Sequence, residues 1–158
     1  MRTTQQIAKH LREVHFGGNW TTVNLKDQLS DVSWQMATTA VPGLNTIAVL
    51  TYHACYYVTA LLGVLRGEGL QAKDAYSFEL PPLQGTQDWE QLLENCWANA
   101  EMAAKLIEQL PDDMLEDQFV DERYGTYFRN LAGVIEHLHY HLGQIVVLKK
   151  LLMEGDIR

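Results

Sequence analysis

Three histidines carry residue types and spacings that could do chemistry. His137 and His141 stand four residues apart in one apolar stretch, and His53 sits alone in another. Two imidazoles at positions i and i+4 project from one face of a helix about a turn apart, close enough to share one metal ion. A third histidine from a facing helix would complete three nitrogens around an open coordination position, where substrate or water can bind. A lone histidine on an apolar face is more often a hydrogen-bonded core residue, and a histidine pair can serve an interface. The case rests on the three together.

Helical geometry tests which of them face the core. At about 100° per residue, with His137 at zero, His141 falls near 40° and Val134, Ile145, Leu148 and Leu152 fall between roughly 20° and 80°. His141 thus lies inside the apolar stripe and His137 on its flank. His139 falls near 200°, on the opposite face, and is expected in solvent or at an interface. On its own helix His53 flanks the stripe of Leu50, Tyr57 and Leu61 in the same way as His137. His10 and His15, near the end of an earlier helix, are expected to be solvated or partner-facing.

Other chemistries find less support. A di-iron bundle needs two Glu-x-x-His units, and only Glu136 to His139 has that spacing, directed away from the stripe. The His-Glu-x-x-His motif, a Cys-x-x-Cys pair, a phosphate-binding glycine loop and a nucleophile elbow are all absent.

The elements that must position the histidines follow from apolar periodicity. A first helix carries Ile7, Leu11 and Val14 and stops at Gly17-Gly18. A second begins after Pro42-Gly43, with Asn45 as its expected cap, bears His53, and ends at Gly67 and Gly69. A third runs from Thr86 through Trp89, Cys96 and Ile107 to Pro111. The fourth spans about Thr126 to Met153 with Gly155 just beyond its end. Between the first and second, residues 17–45 form a long connection in which Leu25 to Leu29 suits a short extra helix. Residues 75–82, aromatic and closed by Pro81-Pro82, join the second and third irregularly. An all-α, antiparallel four-helix bundle accommodates these pieces, in either up-down or crossover order, as a single domain over residues 1–158.

Composition narrows the partners. A net charge of −8 and a pI near 5.1 oppose nucleic-acid binding. The first residues lack the apolar core of a signal peptide, and no stretch of about 18 consecutive apolar residues offers a membrane span, so the expected compartment is the cytoplasm. Cys55 and Cys96 lie in apolar helical stretches. Two buried thiols are the expected state, with a disulfide or metal ligation as alternatives.

The segment His137-Leu138-His139-Tyr140-His141-Leu142-Gly143-Gln144-Ile145 resembles the carboxy-terminal motif of the DinB-like, or YfiT-like, metalloenzyme superfamily. There a His-x-x-x-His pair precedes Arg-Gly-Gln and an apolar residue. Leu142 stands where the arginine is common, which weakens anion binding at that position. His53 matches the family's first ligand position, and Phe78-Glu79-Leu80-Pro81-Pro82 followed by Trp89 is similar to a subgroup. The resemblance implies a four-helix bundle, a divalent metal on His53, His137 and His141, and often a homodimer. Some relatives are S-transferases for small thiols such as bacillithiol or mycothiol.

These readings combine into an expected metal-dependent enzyme. Zinc suits three imidazoles with an open position, with nickel, iron, manganese or copper as alternatives. The expected partner is a small molecule, foremost a low-molecular-weight thiol activated as thiolate; a hydrolase would use hydroxide instead. A non-catalytic module with a structural or vestigial metal, or a polar core without metal, are the competing readings. Tyr57 and Asn130 are candidates to line the pocket, and Tyr76 and Phe78 to cap it.

Overall fold

The structure is a computed structural model that describes residues 1–155. Its helices are α1 (Thr3–Phe16), α2 (Leu25–Leu29), α3 (Trp34–Thr38), α4 (Ile47–Leu65), α5 (Thr86–Gln109) and α6 (Tyr127–Gly155). Short 3-10 turns cover Asp74–Phe78, Asp112–Glu116 and Glu122–Tyr124. No strand occurs among the described residues, and the fold is all-α.

The four long helices enclose one core in which Leu11, Val14, Ile47, Val58, Ile107, Leu131, Leu138 and Ile145 are essentially inaccessible. Leu131, Leu138 and Ile145 recur every seven residues, which keeps one face of α6 on the bundle axis. Helix α4 has the length and hydropathy of a membrane span, but 61% of its most apolar window is buried inside the bundle. Its apolar character reflects burial between two helices and a loop.

Helix α1 packs on α5 and α6, and α4 packs on the same two, so α1 and α4 sit diagonally. Arg2 at the start of α1 donates to the carbonyls of Glu108 and Leu110 at the end of α5. Asp112 returns the interaction by accepting from the backbone N–H groups of Thr3 and Thr4 at 2.9 Å each. Each helix thereby satisfies unpaired groups at the end of its antiparallel neighbour. By contrast, Cys55 meets Cys96 and Thr59 meets Asn99, so α4 and α5 run parallel. Of the two orders that the sequence leaves open, up-down and crossover, the bundle has the crossover. Two parallel neighbours require a return connection, and residues 66–85 supply it by running back along α4, where Lys73 pairs with Tyr56 and Ser77 with His53.

The expected short helix at Leu25 to Leu29 is α2, and α3 follows it unforeseen. Both lie in the crossover from α1 to α4. Trp89 Nε1 donates to the Val32 carbonyl at 2.8 Å, and Lys149 bonds the Gln28 carbonyl and Asp31, which ties this crossover to α5 and α6. The cap of α4 is Thr46, whose Oγ1 accepts from the Val49 N–H, instead of Asn45, and Gly155 is the last residue of α6 instead of lying beyond it.

Cys55 and Cys96 form a disulfide, with Cα atoms 5.5 Å apart, which corrects the expectation of two separate thiols. The parallel packing of α4 on α5 sets both residues at the same level with their side chains facing. Burial alone is compatible with either state, so the pairing became visible only once the helix directions were known.

Candidate metal centre

His53 projects from the middle of α4, and His137 and His141 from successive turns of the facing stretch of α6. These helices run antiparallel, so the lone histidine meets the pair at one level. His137 Nε2 lies 3.0 Å from His53 Nε2 and 3.0 Å from His141 Nε2. All three ligand-capable nitrogens fall within 4.8 Å of one another. Nitrogens at adjacent positions around an ion with bonds of about 2.0–2.1 Å stand roughly 3.0–3.4 Å apart, so the spacing fits a divalent transition metal.

The outer ring nitrogens determine how protons are distributed. Ser77 Oγ donates its only proton to the Asp74 carbonyl at 2.6 Å, so at its 3.0 Å contact with His53 Nδ1 it must accept. His141 Nδ1 lies 2.6 Å from Gln144 Oε1, which also accepts, while Gln144 Nε2 faces the Tyr140 hydroxyl. Both rings therefore carry their proton on Nδ1 and present a lone pair at Nε2. His137 Nδ1 is buried without a hydrogen-bond partner among the described residues. Its Nε2 faces two lone pairs and can donate a proton to only one of them, so at least one lone pair at the centre has no donor and is open to a cation. The donor set fits a metal ion.

Electrostatics prepare the same state. Burial, then the neighbouring His141 and His53, push His137 down to about 4. Burial likewise lowers His53, with His141 adding to the effect, and it lowers His141 against the opposing hydrogen bond that His141 donates to Gln144 Oε1. All three imidazoles are held neutral at pH 7, the form that ligates metal.

Aromatic groups wall the centre. Phe78 stacks on His53 with ring centroids 3.9 Å apart at 18°. Tyr57 meets the edge of His137 at 4.7 Å and donates its hydroxyl to Asp74 Oδ1 at 2.9 Å. An open cleft of about 620 Å³ reaches His137 between Tyr57, Phe128, Asn130 and Val134, with Arg129 and Glu136 also on its walls. A second cleft, of about 510 Å³ beside Tyr140 and Gln144, includes none of the three histidines. The first is the route to the centre.

Of the expected neighbours, Tyr57 and Phe78 contact the histidines. Asn130 lines the cleft, but its amide donates to the carbonyls of Tyr124 and Thr126 and holds the start of α6. Tyr76 is exposed beside Lys73. His139 lies outside the cluster, half-buried, with Nδ1 near the Ile135 carbonyl. His10 is exposed. His15 corrects the expectation of a solvated or partner-facing residue: it is fully buried, with Nδ1 2.7 Å from the Leu11 carbonyl and its ring near Phe16 and Trp97. Its helix is wrapped by α5 and by the crossover, which covers a face that would be open in a simple hairpin.

Ser77, Asp74 and Gln144 complete the centre from outside the three histidines. Gln144 had a local signal, lying three residues after His141 on one helix face. Ser77 and Asp74 had none, because they reach His53 through a folded-back loop. Leu142, at the position of the family's arginine, is buried in the core.

No curated protein and no solved structure matches the chain. A family model, that of the DinB superfamily, matches residues 11–145. The match includes α4, the return loop and both histidines of α6, and the chain belongs to the DinB superfamily.

Proposed function

We propose that this protein is a metal-dependent enzyme in which Nε2 of His53, His137 and His141 holds a divalent ion, zinc in preference to nickel, iron or manganese. Its reaction is S-transfer of a small thiol to an electrophile. The observation that carries the reading is the proton distribution at the centre: Ser77 and Gln144 direct two lone pairs toward His137 Nε2. A bound divalent ion would supply Lewis acidity, lowering the pKa of a thiol or water in the open position.

The remaining work falls to the chain. Phe78 covers the face of His53 and excludes water there. Tyr57 keeps its proton at neutral pH, since burial raises its pKa, and passes the hydrogen bond to Asp74. That hydrogen bond orients one oxygen of the Asp74 carboxylate at the edge of the centre. The choice of thiol transfer over hydrolysis rests on the small-thiol S-transferases among the relatives that the α6 motif resembles. The cleft of about 620 Å³ has the size of a small-molecule site.

The reading includes a cytoplasmic homodimer. The exposed row of Tyr140, Val147 and Leu151 on α6 supports a second copy, and sedimentation equilibrium at micromolar concentration tests it.

Elemental analysis of protein purified without a histidine tag is the primary test. Close to one equivalent of transition metal is expected, and below about a tenth, with no gain on adding zinc or nickel, the metalloenzyme reading fails. A panel of small thiols and electrophiles, assayed before and after chelation, then tests the reaction. Chelation should abolish transfer; ester hydrolysis in its place would assign a hydrolase.

A further inference from the structure

The mechanism above leaves the Cys55–Cys96 disulfide unused. Cys55 follows His53 by two residues on α4, about 200° around the helix, so it faces α5 while His53 faces α6. Both cysteines line a separate open cleft of about 440 Å³ between α4 and α5. Its walls are Tyr52, Tyr56, Thr59, Asn95 and Asn99, and Asn99 Nδ2 donates to Thr59 Oγ1 at 3.0 Å from one helix to the other. This cleft presents amide and hydroxyl groups around a disulfide. Exchange of a disulfide requires access for the attacking thiol, and the cleft supplies a path to this one.

We propose that the Cys55–Cys96 disulfide is a second reactive site, which exchanges with small thiols entering this cleft. Access and the leaving group govern such exchange. Both cysteines are buried, Cys55 at 7% exposure and Cys96 at 3%, and meet solvent only at the floor of the cleft; attack is assigned to Cys55, the more exposed of the two. The incoming thiolate sulfur bonds to Cys55 Sγ, the Sγ–Sγ bond breaks, and Cys96 leaves as a thiolate that takes a proton from water. A second thiolate attacks the external sulfur of the mixed disulfide, releasing a small-molecule disulfide and the Cys55 thiolate. In total, two small thiols are oxidised to one disulfide and the protein disulfide is reduced to a dithiol. The site is independent of the metal, since it lies on the other face of α4 and uses none of the histidines.

The test uses the whole chain, folded, with reduced glutathione as probe. Thiol release is followed by alkylation and mass spectrometry, with circular dichroism recording the fold. Direct access predicts a rate linear in glutathione and insensitive to urea well below the unfolding transition. Exchange that appears only as urea unfolds the protein would overturn the proposal and leave a purely structural crosslink. Asn99→Trp, which fills the cleft, should slow exchange about tenfold or more while leaving metal content unchanged; an unaltered rate counts against the cleft as the entry route. Cys96→Ser with oxidised glutathione should trap the adduct on Cys55, and a folded variant that forms none also overturns it. Should that variant fail to fold, the urea dependence of the wild-type protein still decides.

Discussion

Ser77 Oγ lies 3.0 Å from Nδ1 of His53 and is compelled to accept there, because its own proton is committed to the Asp74 carbonyl at 2.6 Å. One loop hydroxyl therefore decides which nitrogen of His53 is free to bind metal. Outer partners of this kind orient a ligand ring and raise its basicity.

Ser77→Ala should consequently weaken metal binding by about 10- to 100-fold with the helical fold intact. Competition against a chromophoric chelator measures the affinity, and circular dichroism checks the fold. An affinity equal to that of the wild-type protein would show that Phe78 and the helix backbone alone orient the ring.

The two neighbouring histidines of α6 should behave oppositely. His137→Ala removes the nitrogen that lies between the other two and should reduce bound metal to below about a tenth of an equivalent. His139→Ala, two residues away and outside the cluster, should leave metal content unchanged. Plasma emission analysis of both variants, purified in parallel, separates the roles.

His15 makes stability depend on pH. Burial pushes it down to about 4, below its ordinary 6.5, against the hydrogen bond its ring donates to the Leu11 carbonyl, which favours the charged form. Between these values the unfolded chain binds more protons than the folded one. The contribution of this neutral histidine is complete above pH 6.5 and is lost as pH falls toward 4, by about 3 kcal/mol. Urea unfolding at pH 7 and pH 4.5 should show a loss about 2 kcal/mol smaller in His15→Leu than in the wild-type protein, the remainder coming from the lowered histidines of the metal centre.

The disulfide closes a loop spanning a sequence separation of 41. Chain entropy assigns such a crosslink about 4 kcal/mol, so Cys55→Ala with Cys96→Ala should lower Tm by roughly 10 °C. Differential scanning calorimetry checks the value. No change would mean that the parallel contact of α4 with α5 is already fixed by the flanking helices.

Much of this architecture is written in local patterns. The 3.6-residue periodicity of Ile47 to Leu65 and of Leu131 to Leu148 marks both ligand-bearing helices, and glycine or proline marks their limits. The i, i+4 spacing of His137 and His141, with His139 turned away, follows from helical rotation alone. Such features depend on nearest neighbours along the chain and need no tertiary information. His53 stands out in the same local way, as a histidine flanking the apolar stripe of its own helix, and the resemblance to DinB-like proteins supports the three as one ligand set; the convergence of their Nε2 atoms is what tertiary packing made of it.

Other features came from contacts between residues distant in sequence. The diagonal placement of α1 and α4, and the parallel run of α4 and α5, arise from crossovers whose direction no periodicity encodes. That parallel run is why Cys55 and Cys96 meet, and the wrapping of α1 is why His15 is dry. The return loop brings Asp74, Ser77 and Phe78 onto His53 from 21 to 25 residues away. Local sequence thus determined the helices and which of their faces carry histidine. Tertiary packing decided which nitrogens converge and which protons they keep, because that depends on partners supplied by other parts of the fold.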